Sequence, residues 1–209
     1  DTTKFAPNHD DSVLKEFGIT GRYAMFVGRI TRQKGLAHLL RAWKNVPAEY
    51  GLVLAAGSPD EETIGNEVAE LIAELQSTRS NVWWIKEMLP HDKLTAALTH
   101  AELFLCPSIY EPLGIVNLEA MGCETAVLAS RVGGIPEVVS HKQTGELVDY
   151  TTDHAKFESD LTAAISSLMA DPALLEKYGK AGRARAQSEF GWDAVAAQTI
   201  ALYKSVITK

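Results

Sequence analysis

Cysteine is scarce in this chain, and its two cysteines, Cys106 and Cys123, lie in apolar stretches. Two thiols cannot complete a zinc site, and buried free thiols explain them better than a disulfide does, so a reducing cytoplasm is the expected location. No apolar run approaches the ~20 residues that a membrane-spanning helix needs. The polar start, residues 1–11, lacks the basic and apolar regions of a signal peptide. These absences argue against a membrane partner.

Positive charge is also in short supply. Twenty Lys and Arg residues against 27 Asp and Glu residues give a formal net charge of −7. This balance argues against broad contact with nucleic acid, and an anionic ligand would need a local cluster of cations. The histidines are scattered without metal-ligand spacing, and no Asp-x-Asp pair is present to hold a metal-bridged diphosphate. No metal or other cofactor is therefore expected.

Short apolar runs alternate with amphipathic stretches along the chain. Six runs predict strands, at 23–27, 52–56, 82–85, 103–106, 126–129 and 146–148. Helical spacing predicts helices at 36–46, from Ser58 onward, near 92–100, at 115–122, and near 155–170, 172–188 and 193–207, with a short one possible at 11–17. Ser58-Pro59-Asp60-Glu61 is typical of a helix start with a capping serine. The pattern predicts an α/β fold, a Rossmann-like parallel sheet of about six strands with helices on both faces.

A cationic turn joins the first strand to the next helix and reads Gly28-Arg29-Ile30-Thr31-Arg32-Gln33-Lys34-Gly35. Ligands of parallel sheets bind beyond the carboxyl ends of the strands, where this turn should lie. Gly28 permits close approach of a ligand to the backbone. Arg29 can hold phosphate oxygens with its planar guanidinium, and Lys34 adds a compact charge, a pair that suits pyrophosphate. From chemistry alone, a solvated basic loop is an equally good interpretation.

An acidic segment follows the fourth strand and reads Glu111-Pro112-Leu113-Gly114-Ile115-Val116-Asn117-Leu118-Glu119. Proline disfavours helix at Glu111, and the free N–H groups near Gly114, Ile115 and Val116 could bind an anion. Glu119, about one turn into the helix, could accept hydrogen bonds from the vicinal hydroxyls of a ribose. Paired glutamates also suggest a glycoside hydrolase, but the cations and the helix start favour a leaving group that departs as phosphate. An ordinary amphipathic helix remains an alternative.

Further candidates flank these segments. Met88 follows the third strand, with Lys86 and Glu87, and could touch the edge of a base, although a plain surface loop is the alternative. Leu113, just before the acidic helix, completes the candidate substrate-binding residues. The glycine turn at 132–134 could line the sugar side of a pocket or simply join a strand to a helix.

Together these motifs resemble retaining glycosyltransferases of the GT-B type, in the glycogen-synthase-like branch. The resemblance rests on the GR-I-xx-QKG loop at 28–35, the Glu-x7-Glu motif at 111–119, PSIYEPLGIVNLEAM at 107–121 and VGGIPEVV at 132–139. It extends from residue 1 to the C-terminus. The sequence of these motifs is most similar to that of actinobacterial glycogen synthases and maltosyl-phosphate synthases, which use ADP-glucose or UDP-glucose.

The resemblance implies a role for each matched residue. Arg29 and Lys34 would hold the distal phosphate, assisted by the backbone near Gly114. Glu119 would hold the ribose hydroxyls, and Glu111 would contact the transferred sugar. Glu111, Arg29 and Lys34 are thus the expected catalytic residues, in a reaction that retains the anomeric configuration.

The resemblance also implies a function. The chain would be the donor-binding half of an enzyme that moves glucose from ADP-glucose or UDP-glucose to an α-1,4-glucan, as glycogen synthase does. One alternative is a maltose-1-phosphate synthase with glucose 1-phosphate as acceptor, and another is a non-catalytic nucleotide-binding module. A nucleotide-sugar epimerase fits the Glu-x7-Glu segment less well.

The same resemblance implies that the chain is divided into three segments. Residues 1–20 would be an inter-domain lead-in, and 21–190 the Rossmann-like domain that binds the donor. Residues 191–209 would form a helix that returns to an N-terminal acceptor domain, the expected partner, which this sequence lacks. The apolar face of that helix should be partly exposed. Glu124-Thr125 replaces the glycine-proline step usual in the family, for which only a local change of turn is expected.

Overall fold

A six-stranded parallel sheet forms the centre of the computed structural model, which describes residues 1–207. The strands are β1 (Tyr23–Arg29), β2 (Gly51–Gly57), β3 (Val82–Ile85), β4 (Leu103–Cys106), β5 (Ala126–Ser130) and β6 (Gly145–Val148). Their order is β3-β2-β1-β4-β5-β6, and each neighbouring pair is parallel. The predicted α/β, Rossmann-like sheet is confirmed.

Helices cover both faces of the sheet. They are α1 (Ser12–Phe17), α2 (Leu36–Trp43), α3 (Glu62–Thr78), α4 (His91–His100), α5 (Ile115–Gly122), α6 (Ile135–Val138), α7 (His154–Met169), α8 (Pro172–Phe190) and α9 (Trp192–Ile207). Because side chains alternate along a strand, Ala24 and Phe26 pack with α2, α3 and α7, whereas Tyr23 and Met25 pack with α1, α4 and α5. Strand β4 is buried along its whole length and reads as a continuous apolar run, as does the buried part of β1, residues 23–26.

The strand order reverses between β1 and β4, which brings the loops after these two strands together. The main-chain N–H of Ile109 donates to the carbonyl of Gln33 at 2.8 Å. A Cβ on Gly35 would lie 1.9 Å from the carbonyl oxygen of Pro107, so the two backbones are in close contact. Such a reversal opens a crevice beyond the strand ends, the usual ligand site of open α/β sheets.

The predicted helix start at Ser58 is wrong. Ser58 has a left-handed backbone with φ 49°, and α3 begins at Glu62 without a side-chain cap. The intervening loop is instead tied to the loop after β1, because the N–H of Asp60 donates to the carbonyl of Ile30 at 3.3 Å. The helix predicted at 36–46 also ends early, at Trp43. Pro47 accounts for this in part, since proline disfavours helix at the preceding residue.

Glu124 makes the turn after α5 without a glycine. Its φ of 64° is the left-handed conformation that glycine adopts most readily. The N–H of Thr125, which a proline would lack, donates to the carbonyl of Ala120 at 3.0 Å, and its hydroxyl donates to Leu98 at 2.6 Å. The Glu124-Thr125 sequence is therefore accommodated by a turn of its own.

Both cysteines are free and buried, as expected. Burial raises the pKa of the Cys106 thiol, and it raises that of Cys123 to about 12. Both thiols therefore stay protonated and unreactive in the folded chain. No helix within residues 1–207 is long and apolar enough to span a bilayer.

Candidate functional site

Lys34 and Glu111 form an ion pair across the crevice between the β1 and β4 loops. The Nζ of Lys34 donates to Oε2 of Glu111 at 2.6 Å, and the side chains are 27% and 12% exposed. Lys34 ends a short 3₁₀ turn, Arg32–Lys34, which Thr31 caps by accepting the N–H of Lys34. Glu111 lies in a loop, as predicted. Two residues that are 77 positions apart thus meet at the switch point of the sheet.

The start of α5 lies beside this pair. Gly114 precedes the helix with φ 86° and no side-chain cap. The first N–H groups of a helix have no partner within it, so those of Ile115 and Val116 remain available to an anion. A Cβ on Gly114 would lie 3.5 Å from Cγ of Glu111, which places the helix start against the ion pair.

The glycine turn at 132–134 supports the Glu111 loop from one side. The N–H of Gly134 donates to the carbonyl of Glu111 at 3.1 Å. A Cβ on Gly133 would lie 1.9 Å from the same oxygen, so only glycine permits this approach. The sequence predicted either a turn that lines a pocket or a plain strand-to-helix turn, and the structure shows that this turn holds the Glu111 loop in place.

Arg29, Gly28 and Met88 line a second part of the crevice, a cavity of about 210 Å³. Arg29 is exposed, and its side chain forms no hydrogen bond or ion pair with any residue in the described part of the chain. This cation is therefore free to meet an anionic ligand. Ser58, with its strained backbone, and Lys86, whose Nζ lies 4.2 Å from the ring centre of Trp84, also line the cavity. The sequence analysis assigned Ser58 to a helix cap and therefore did not predict its place in this cavity.

Glu119 lies in a different cavity from Arg29. It lines a space of about 270 Å³ together with Leu113 and Ile115, against Phe5 and Trp192. Burial raises the pKa of the half-buried Glu119 carboxyl, while the N-terminal ammonium and His91 lower it by less. Arg29, Met88 and Gly28 therefore line one cavity, Glu119, Leu113 and Ile115 line another, and Lys34 and Glu111 meet beside Gly114.

Substituting Glu119 with glutamine should stabilise the chain at alkaline pH. The raised pKa means that the folded chain binds the Glu119 proton more tightly than the unfolded chain, so ionisation lowers stability as pH rises through the folded-state pKa. Glutamine removes this cost, so Glu119→Gln should unfold at higher urea than the parent at pH 8 and at the same urea concentration near pH 4. A stability difference that is constant between the two pH values would contradict the prediction.

A third cavity, of about 260 Å³, lies on the other side of the β1 loop. Arg32, His38, Arg41 and His154 contribute to its lining. Its cations already form ion pairs within the chain, since Arg41 pairs with both Glu67 and Glu158. It therefore offers less free positive charge to an anion than the Arg29 side of the crevice. Within residues 1–207, no cluster of three His, Cys, Asp or Glu side chains could hold a metal ion.

Comparison with known proteins places the chain in a family. The family model described as glycosyl transferases group 1 matches residues 14–185, a stretch that includes every candidate residue. The chain belongs to this family. It is 49% identical over 203 residues to alpha-maltose-1-phosphate synthase of Mycolicibacterium smegmatis, covering 96% of this chain and 52% of that protein. It is 31% identical over 183 residues to glycogen synthase of Mycobacterium tuberculosis, covering 86% and 41%.

Solved structures give the same result for the fold. Sucrose-phosphate synthase from Thermosynechococcus elongatus superposes with a TM-score of 0.80 at 31% identity, over 100% of this glycosyltransferase chain and 51% of that protein. Anabaena Alr3699/HepE, solved in complex with UDP and glucose, superposes with a TM-score of 0.83 at 20% identity, over 98% and 55%. The fold is therefore the one found in half of a GT-B glycosyltransferase. The chain spans about half the length of the curated relatives it matches.

Proposed function

We propose that this glycosyltransferase chain is the donor-binding half of a retaining enzyme that transfers glucose from ADP-glucose or UDP-glucose to glucose 1-phosphate. The observation that carries the proposal is the meeting of Lys34 and Glu111 beside the uncapped start of α5. A cation, a carboxylate and free amides at one strand-end crevice suit a sugar joined to a diphosphate. The HepE structure with UDP and glucose supports the same class of donor.

The acceptor is inferred from similarity. Identity is 49% with an alpha-maltose-1-phosphate synthase and 31% with a glycogen synthase. This difference favours glucose 1-phosphate over the α-1,4-glucan that the sequence motifs first suggested. The product would be maltose 1-phosphate.

Each side chain would act on a different part of the donor. Lys34 and Arg29 would neutralise the diphosphate as the bond from the anomeric carbon to its oxygen breaks, with the α5 amides binding the same charge. An acceptor hydroxyl would form the new bond on the same face and give its proton to the departing phosphate oxygen. Glu111 would contact the transferred glucose, and Glu119 the ribose. Such a mechanism needs positive charge at the leaving group and no metal.

The donor part of the proposal is tested by calorimetry with ADP, UDP and GDP. We expect the 209-residue chain to bind ADP or UDP weakly and to turn over no sugar, because acceptor contacts would come from the rest of the protein. The absence of binding heat with all three nucleotides would contradict a donor site. For the acceptor, the longer protein is supplied with the preferred nucleotide-glucose and either glucose 1-phosphate or a maltooligosaccharide. Extension of the oligosaccharide alone would refute maltose 1-phosphate synthesis.

We further propose that α9 packs against the other half of the longer protein. No α9 side chain among the described residues is buried, and Trp192 and Tyr203 are 72% and 63% exposed. An apolar helix this open is typical of an interface. The proposed segment continues to residue 209, but 208 and 209 lie outside the described residues.

The α9 proposal predicts a difference in hydrogen exchange. The α9 amides should exchange more slowly in the longer protein than in the 209-residue chain, because a covered helix opens less often. Exchange of the α8 amides provides the internal control, since that helix is already packed against the sheet. Equal α9 exchange in both proteins would show that the helix has no partner there.

A further inference from the structure

Asn117 is a fully buried polar side chain. It occupies the third position of α5, and its main-chain N–H donates to the carbonyl of Gly114 at 2.9 Å. Neither Oδ1 nor Nδ2 of its carboxamide has a hydrogen-bonding partner among the described residues. A buried polar group without a partner destabilises a fold, and an apolar side chain of similar size would avoid that cost. The fold therefore carries a buried polar group that has no hydrogen-bonding partner among the described residues.

The carboxamide lies against the open side of Gly114. A Cβ on Gly114 would be 2.6 Å from Nδ2 of Asn117 and 3.5 Å from Cγ of Glu111. Because glycine has no side chain, the carboxamide and the Glu111 side chain border the same small space. The Cys106 thiol is also a neighbour of Asn117, but no contact between the thiol and the carboxamide has hydrogen-bonding geometry.

Among the described residues, Glu111 has one close partner for its carboxylate. Lys34 lies 2.6 Å from its Oε2, whereas the hydroxyl of Ser108 is a distant 3.5 Å from the same oxygen. If Lys34 turned to a diphosphate, the nearly buried carboxylate would lose its counter-charge. An uncompensated buried charge is strongly unfavourable, so another donor would be needed to keep Glu111 in place.

We propose that Asn117 supplies that donor and is the positioning residue for Glu111. When a diphosphate draws Lys34 away, the Nδ2–H of Asn117 donates to the Glu111 carboxylate across the space left by Gly114. The carboxylate then keeps its place beside the transferred sugar while Lys34 binds phosphate. No proton is transferred when Asn117 replaces Lys34 as the donor to Glu111. The inference rests on the proposed function, because it requires a diphosphate in the crevice.

The test is the variant Asn117→Leu, which has the same number and branching of side-chain heavy atoms and no polar atoms. We expect its urea midpoint to equal or exceed that of the parent and its affinity for ADP or UDP to fall about tenfold, the loss of one hydrogen bond to a charged group. Ser130→Ala is the matched control, because the buried hydroxyl of Ser130 also lacks a partner among the described residues. It should leave affinity unchanged.

A second test measures the NMR signals of the parent chain. The side-chain amide resonances of Asn117, assigned by their loss in the leucine variant, should shift downfield on saturation with the nucleotide. Equal affinity of parent and Asn117→Leu, or amide resonances that do not move, would overturn the inference. A parent that binds no nucleoside diphosphate contradicts the proposed function instead, and this inference falls with it.

Discussion

Replacing Lys34 with methionine should weaken binding of ADP or UDP by about 10-fold to 100-fold, the value of one hydrogen bond to a charged group. Lys34 is the cation that the structure places in the crevice between the β1 and β4 loops, 2.6 Å from Glu111. Without it, the Glu111 carboxylate would remain unpaired near the incoming diphosphate and repel it. Adenosine or uridine, which carry no phosphate, should bind as well as before.

Arg32 provides the matched control for this substitution. It lies in the same 3₁₀ turn, but its guanidinium faces away, 3.7 Å from Glu61 and 3.8 Å from Glu67. Arg32→Met removes the same charge from the loop and should leave diphosphate affinity nearly unchanged. Equal losses in the two variants would show that the loop attracts anions by overall charge and that Lys34 has no specific contact.

Replacing Gly35 with alanine should destabilise the chain by more than about 3 kcal/mol, as large effects arise where backbone strain and a clash coincide. Gly35 has φ 66°, and a Cβ there would lie 1.9 Å from the carbonyl oxygen of Pro107. Main-chain atoms cannot rotate away as a side chain can. The β1 loop would have to leave the β4 loop, which would break the bond between Ile109 and Gln33 and displace Lys34 from Glu111.

Gly18 separates the two causes of this loss. It has nearly the same φ, 64°, but no atom lies within 4 Å of the place where its Cβ would be. Gly18→Ala should therefore show the conformational cost alone, about 1–2 kcal/mol. Urea unfolding of both variants gives the comparison. Similar losses at the two positions would mean that the contact between Gly35 and Pro107 does not constrain the loops.

The sheet could be predicted because most of its strands are apolar along most of their length. Runs such as Leu103–Cys106 and Val82–Ile85 have no polar residue to obscure their limits, and the structure gives the same bounds. The loop at Ser58 could not be predicted in the same way. Its sequence matches a helix cap, but the hydrogen bond from Asp60 to Ile30 depends on a neighbouring loop that is distant in sequence.

The candidate site was predictable in part. That Lys34 and Glu111 share an edge of the sheet follows from strand ends, although their direct pairing depends on side-chain direction. Ile115 and Glu119 are four residues apart on α5 and so share a helix face, which turns both toward Trp192 rather than toward Arg29. Asn117 lies between them in sequence and points inward, a consequence of helix rotation that motif matching does not consider.

We infer that the cationic β1 loop and the start of α5 close around one diphosphate. A crystal structure of this chain with bound ADP, or with UDP if that nucleotide binds better, tests it most directly. The diphosphate should lie within hydrogen-bonding distance, about 2.7–3.2 Å, of both the Lys34 Nζ and an N–H at the start of α5, with the Lys34–Glu111 pair opened. A diphosphate bound instead beside His38 and His154, with that pair intact, would contradict it.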